Sequence, residues 1–267
     1  MIDWIMFHSL WRFRGFIFGA VQREFQGRYQ GSMLGGVWAV LNPLAMILIY
    51  TLVFSQLMGA RLAGHEKSVF AYSIYLCAGL LPWGLFAEVL GRLNTVFLEN
   101  STLIKKAQLP RACLPVIVAL SALLNFTIVM VLFLMFLAVS GNLPGWALLA
   151  FPVVVLLQLA FTLGLGIILA TLNVFFRDVG QFTGIALQFW FWLTPIIYVA
   201  DILPPAIKIW FGLNPMWPVV RAYQTIFVEH CFPDWLSLVP VALLALILLM
   251  LAAKIFLARV GEIVDEL

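Results

Sequence analysis

From Ala112 to Phe176 the chain carries no Asp, Glu, Lys or Arg. Near the middle of that run lies Gly141-Asn142-Leu143-Pro144-Gly145, a turn composition. The run therefore divides into two apolar halves, each longer than the roughly 20 helical residues needed to cross about 30 Å of hydrocarbon. A surface helix of a soluble domain covers one face with charge. These two have no charge to present, so their solvent is lipid. The rest of the chain agrees, with 64% hydrophobic and 10% charged residues, against about 25% charged in soluble proteins. The fold class that follows is an all-α integral membrane protein.

Apolar stretches with at most one charged residue each give six transmembrane helices, at about 37–59, 69–91, 114–140, 146–173, 179–199 and 236–257. Six crossings put both termini on one side. With the termini inside, that face carries eleven of the Lys and Arg residues, among them Arg12, Arg14, Arg23, Arg28, Lys105, Lys106, Arg111 and Arg177. The other face carries four: Arg61, Lys67, Lys208 and Arg221. The positive-inside rule then makes both termini cytoplasmic. Residues 1–30 mix Trp4, Phe7, Trp11 and Phe18 with basic residues. They read as an N-terminal interfacial helix and not as a cleaved signal, because Arg12 and Arg14 interrupt the apolar run.

Two connecting regions stand out. Residues 200–235 are apolar but punctuated by Pro204-Pro205, Asn214-Pro215 and Pro218, so the pieces are too short to cross. They read either as short re-entrant helices capping a cavity or as plain interfacial helices. The cytoplasmic loop 95–111 holds Ser101 and Thr102 as candidate caps, then Leu103, Ile104, Lys105 and Lys106, with Pro110 as a stop. An apolar-basic helix there is either a partner-docking element or an ordinary surface helix.

Several chemistries are excluded. No GxxxxGK[ST] occurs, so this polypeptide has no Walker cradle for nucleotide phosphates. Cys77, Cys113 and Cys231 lack metal or redox spacing, and His8, His65 and His230 are isolated. No basic face is large enough for nucleic acid. Glu88 is the one acidic residue inside a predicted span, with Arg92 at i+4 as its plain ion-pair partner.

The spans do carry aromatic and amide stripes. In the first, Met46, Tyr50 and Phe54 follow at i, i+4 and i+8, with Trp38 and Asn42 below them. In the fifth, Gln181, Gly184, Gln188, Trp192 and Pro195 share a face. Amides are costly against lipid, so these faces look into the bundle or a pore. Rings beside amides suit a sugar chain, and helix packing accounts for the same pattern.

The segment Arg23-Glu24-Phe25-Gln26-Gly27-Arg28-Tyr29-Gln30-Gly31-Ser32-Met33-Leu34-Gly35-Gly36-Val37-Trp38, followed by Leu41-Asn42-Pro43-Leu44, resembles the start of the first span in bacterial type-2 ABC exporter permeases. The family members it looks most like are those exporting O-antigen, capsule and teichoic-acid polysaccharides. Four further segments match in order: Leu103-Ile104-Lys105-Lys106 through Leu114-Pro115, Asn173-Val174-Phe175-Phe176-Arg177-Asp178-Val179, Thr194-Pro195-Ile196-Ile197-Tyr198 with Leu213-Asn214-Pro215, and Gly261 to Leu267.

The resemblance implies a six-span transmembrane domain over 31–267 in the bacterial inner membrane. The implied protein is a permease subunit, not an enzyme, moving a lipid-linked polysaccharide, O-antigen first among them. It would work as a homodimer with two ATPase subunits that hold ATP and Mg, and with no cofactor on this chain. It assigns Trp38, Asn42, Tyr50, Phe54, Gln181, Gln188 and Trp192 to a substrate channel. It assigns Leu103, Ile104, Lys105, Lys106 and Pro110 to ATPase coupling, and Pro195, Tyr198, Asn214 and Pro215 to an external gate. A type-2 permease for teichoic acid, lipid or small molecules would share these features. A membrane glycosyl- or acyltransferase would instead need converging acid, base or nucleophile groups.

Overall fold

The computed structural model describes residues 11–29, 33–53, 70–106, 111–199, 204, 210–259, 261–262 and 266. It is helical, with no strand among the described residues. Helix α1 covers Arg14–Tyr29. A 3-10 turn, Gly35–Val37, runs into α2, Trp38–Tyr50. Helix α3 is Ala71–Glu99, α4 is Ser101–Lys106 and α5 is Cys113–Val139. A 3-10 stretch, Gly145–Ala150, leads into α6, Phe151–Phe175. Helix α7 is Asp178–Trp192, and α8 is Met216–Gln224 with a wider π turn over Thr225–Glu229. Helix α9 is Trp235–Arg259. Among the described residues five stretches are long and apolar enough to cross a membrane: Gly35–Val53, Ala71–Glu99, Cys113–Val139, Gly145–Phe175 and Trp235–Arg259.

The two halves of the charge-free run are α5 and α6. Their separation follows from local chemistry. Gly141 takes φ +74°, which a side chain resists, and closes α5. Asn142 N–H donates to the Leu137 carbonyl and Gly141 N–H to that of Ala138, the paired bonds of a Schellman cap. Pro152 sits in the first turn of α6, where a missing N–H costs nothing.

Helix α3 is the post of the bundle. It packs against α2, α5, α6, α7 and α8, and Cys77, Phe86, Val89 and Leu93 are fully buried along it. Phe86 meets both Phe161 and Trp190, with ring centroids 6.0 and 5.1 Å away. Helix α6 lies between α3 and α9, and small residues let it approach both. Gly166 faces Leu93 of α3, and Gly164 faces Leu248 and the backbone of α9. The opposite face of α9, with Leu236, Leu243, Ile247 and Met250, is exposed, as a lipid-facing helix is.

Side-chain contacts sort the helix ends. Phe97 stacks on Phe256 at 5.7 Å, and Arg259 lies over Phe175 at 6.0 Å. Ile17 and Val21 of α1 pack on Cys113 and Ile117. Helix α1, the ends of α3, α6 and α9 and the start of α5 therefore share one side. At the other side the π turn meets the end of α5 and the start of α6, through Phe227 against Phe133 and Phe151.

Two predicted spans differ from the fold. The second continues past residue 91 to Glu99, because Leu93, Val96 and Phe97 extend the buried stripe at helical spacing while the half-buried Arg92 is paired with Glu24 and Glu88. The fifth, predicted as helix over 179–199, ends at Trp192, and residues 194–199 are bent, non-helical chain. Fifteen helical residues cover about 22 Å, short of a bilayer core. The first span is helical to Val53; residues 54–59, Phe54 among them, lie outside the described residues.

A methyl added at Gly164 would meet Leu248 Cβ at 2.8 Å and the Leu249 backbone nitrogen at 2.9 Å. Gly164→Ala is expected to push α6 off α9 and destabilise the detergent-purified protein by about 1–3 kcal/mol. Gly91→Ala, with open space around it, should be neutral or slightly stabilising. Thermal unfolding of the two variants checks this, and equal midpoints would contradict the close packing.

Candidate functional site

The first-span stripe lines a real cleft. Trp38, Asn42, Met46 and Tyr50 stand along one wall, Leu80, Gly84 and Glu88 of α3 along another, and Asn125 and Phe126 of α5 along a third. The cleft encloses about 370 Å³. Its body is apolar and its end is polar.

That polar end is an ion network joining three helices. Glu88 accepts hydrogen bonds from Arg28 at 2.6 Å and Asn125 at 3.2 Å, and lies 3.6 Å from Arg92. Glu24 of α1 pairs with Arg92 and Arg28 and accepts from Ser121 Oγ at 2.9 Å. Two carboxylates and two guanidinium groups balance, so the cleft ends in a polar but neutral cluster. Partial burial works against the Arg28 cation, but the hydrogen bond and charge of Glu88 and the charge of Glu24 outweigh it and raise its pKa. Sequence spacing showed only the Glu88–Arg92 pair. The interfacial-helix partners, Glu24 and Arg28, sit 60 and more residues away in sequence, and nothing local marks them.

The stripe on α7 is open to the surroundings. Gln181, Gly184 and Gln188 are exposed and Trp192 is 62% exposed, while Thr183 is the one residue of this helix that is buried. Among the described residues the two stripes lie on helices with different main neighbours: α2 packs on α5 and α3, whereas α7 packs on α3 and α6.

All four residues assigned to the gate come together. Asn214 is the hub. Its Oδ1 accepts from Trp190 Nε1 at 2.6 Å and from the Met216 N–H at 2.9 Å. Its Nδ2 donates to Thr194 Oγ1 at 2.8 Å and to the Leu193 carbonyl at 3.0 Å. Pro215 starts α8 beside it. The non-helical stretch after α7 has its carbonyls held by side chains: Tyr72 Oη donates to Ile197, Tyr75 Oη to Tyr198 at 3.1 Å, and Gln224 Nε2 to Pro195 at 3.2 Å. Tyr198 Oη returns to the Trp192 carbonyl at 2.7 Å. Tyr72, Tyr75, Trp190 and Gln224 were not singled out from sequence. A buried amide in an apolar helix, as at Gln224, is the signal that finds such a residue.

Helix α4 follows α3 after the single residue Asn100. Leu103 and Lys105 are exposed on it, while Ile104 is buried against the bundle core. Lys106 ends the helix, and Pro110 lies outside the described residues. Among the described residues no group of His, Cys, Asp and Glu has the arrangement of a metal site.

The profile of the family described as ABC-2 type transporter matches residues 16–228. A protein of Myxococcus xanthus named O-antigen export system permease protein RfbA is 35% identical over 97% of this chain and 98% of its own length. A protein of the same name from Klebsiella pneumoniae is 30% identical over 78% of each chain.

Asn214→Ala removes four hydrogen bonds and strands the buried ends of Trp190 and Met216. We expect a loss of about 2 kcal/mol or more, read as a clear drop in thermal midpoint and faster proteolysis of the segment after α7. A midpoint within about 1 °C of the parent would contradict the hub role.

Proposed function

The chain belongs to the ABC-2 type transporter family, and from that premise we propose that it is the permease subunit of an ATP-driven exporter moving a lipid-linked O-antigen polysaccharide across the cytoplasmic membrane. It is a transport subunit and not an enzyme, and ATP hydrolysis belongs to a separate subunit. The observation that carries the polymer reading is the near full-length likeness to a protein named for O-antigen export. The aromatic and amide faces on α2 and α7 support it, because they offer stacking surface and hydrogen bonds without a closed pocket. A long polymer needs such a path and not a cage.

The working unit in this reading is a homodimer with two ATPase subunits. The α7 stripe is exposed and the α2 stripe lies elsewhere on the same chain, so a second copy completes the conduit. The sixth crossing is made by α7 together with the bent chain behind it. Asn94 lies at the level of Gly180 and Tyr72 at that of Ile197. From Tyr72 to Asn94, a separation of 22 residues in sequence, α3 rises about 33 Å, enough to span hydrocarbon. Residues 194–198 and α8 form the external gate with part-way helices. The eleven-to-four split of Lys and Arg supports placing α1, α4 and both termini on the cytoplasmic side. Leu103, Thr102 and Lys105 then point from α4 toward the ATPase.

A strain lacking the chain should hold lipid-linked polymer inside and show none at the surface. Restoring the chain together with its ATPase should return surface polymer. Leu103→Asp should abolish that return at normal permease abundance, because a partner groove cannot desolvate a new carboxylate cheaply. Full surface polymer from Leu103→Asp would refute the docking assignment, and surface polymer without the chain would refute the function.

A further inference from the structure

Asn173, in the motif 173–179, is 2% exposed and does not line the cleft beside α2. Its side chain is instead bonded to the backbones of two other helices. Nδ2 donates to the Asn94 carbonyl of α3 at 2.8 Å, and Oδ1 accepts from the Gly180 N–H of α7 at 2.9 Å. Asn94 Nδ2 reaches the Gly180 carbonyl at 3.4 Å, which closes a ring over α3, α6 and α7. A side chain at position 180 would crowd it, since an added Cβ meets Asn173 Oδ1 at 3.2 Å.

The location of this ring matters more than its bonds. On one side, α3 passes directly into α4: Ile104 N–H donates to the Asn100 carbonyl at 2.9 Å, Asn100 Nδ2 donates to the Val96 carbonyl at 2.9 Å, and Ile104 is anchored in the core. A displacement of α4 is therefore carried into the end of α3, less than two turns from Asn94. On the other side, α7 is otherwise lightly held, with Thr183 its one buried residue. Its far end is fixed separately, through Trp190 and Asn214. Shifting its start while that end stays fixed tilts the face bearing Gln181, Gln188 and Trp192. The ring also keeps a spare acceptor, because Asn94 Oδ1 is buried without a partner. A second pairing is available there when the joint moves, which is what a two-position element requires.

Building on the permease reading, we propose that Asn173 is a positioning residue: it couples movement of α4, the ATPase-facing helix, to the tilt of α7. It touches neither polymer nor ATPase. Simple satisfaction of an orphan amide at a helix start explains the bond to Gly180. It does not explain why the same side chain reserves its donor for α3.

The test uses this chain with its ATPase subunit, reconstituted in liposomes. Spin labels at Phe182→Cys on α7 and Met250→Cys on α9 report the position of α7, with Cys231→Ser removing the exposed native thiol. In the parent, nucleotide should change the interlabel distance. In Asn173→Ala, ATP hydrolysis should persist, the distance change should vanish and polymer exported per ATP should fall about tenfold, within the ordinary range of coupling effects. Asn173→Asp keeps size and the acceptor for Gly180 but loses the donor to Asn94, so it should behave alike and carries the test if the alanine variant does not assemble. A nucleotide-dependent distance change together with parental export per ATP, in either variant, overturns the proposal. So does a fall of hydrolysis and export together with the distance change intact, which marks a fold defect. A parent complex that neither hydrolyses ATP nor exports polymer counts against the permease reading and not against the joint.

Discussion

Buried backbone that leaves the helix must find its hydrogen bonds within the protein, and this fold is arranged around one place where that happens. After Trp192 the chain stops being helical, and the carbonyls of Pro195, Ile197 and Tyr198 are met by Gln224, Tyr72 and Tyr75. Gly79 lets α3 come close enough, since a Cβ there would meet Ile196 at 3.0 Å and Gln224 at 3.3 Å. The break is costly to build and leaves α7 short. That shortness ties the helix down at both ends while its face, with its amides and rings, remains uncovered.

The buried post α3 connects the functional parts. Its start holds the non-helical segment, its middle forms a cleft wall with Glu88, and its end runs into α4. The ion network at the cleft end belongs to the same logic. Glu24 and Arg28 bring α1 onto α3 and α5, with two acids against two bases in a connected set and not an isolated surface pair, which contributes little on its own. The result is a cleft end that is polar but carries no net charge.

Much of this was legible in the sequence, and the reasons differ by element. Helices α5, α6 and α9 stood out because a charge-free run of bilayer length has few other solutions, and the Gly141 turn marks its own position. Pro195, Tyr198, Asn214 and Pro215 were grouped by a resemblance that assigns them to a gate, and the fold brings these four residues together. The charge-free run overextended the fifth span, since an apolar stretch reads as helix whether or not its carbonyls bond to side chains. Charge cut the second span short at Arg92, although Leu93, Val96 and Phe97 carried the buried stripe onward. Ile104 and Leu103 look alike in sequence, yet only packing shows that the first points inward and the second outward. The partners Glu24 and Arg28 were invisible because pairing across 60 or more residues has no local signature.

In the assembled exporter the exposed stripe of α7 should face water and not lipid. Single cysteines along this helix, probed in native membranes with a water-soluble thiol reagent, test it directly. Gln181→Cys, Gln188→Cys and Trp192→Cys should react. Phe182→Cys and Phe189→Cys, about a quarter turn away and equally uncovered in one chain, should not. Reaction at 182 and 189 with protection at 181, 188 and 192 would contradict the account, because the stripe would then be a packing face and the conduit would lie elsewhere.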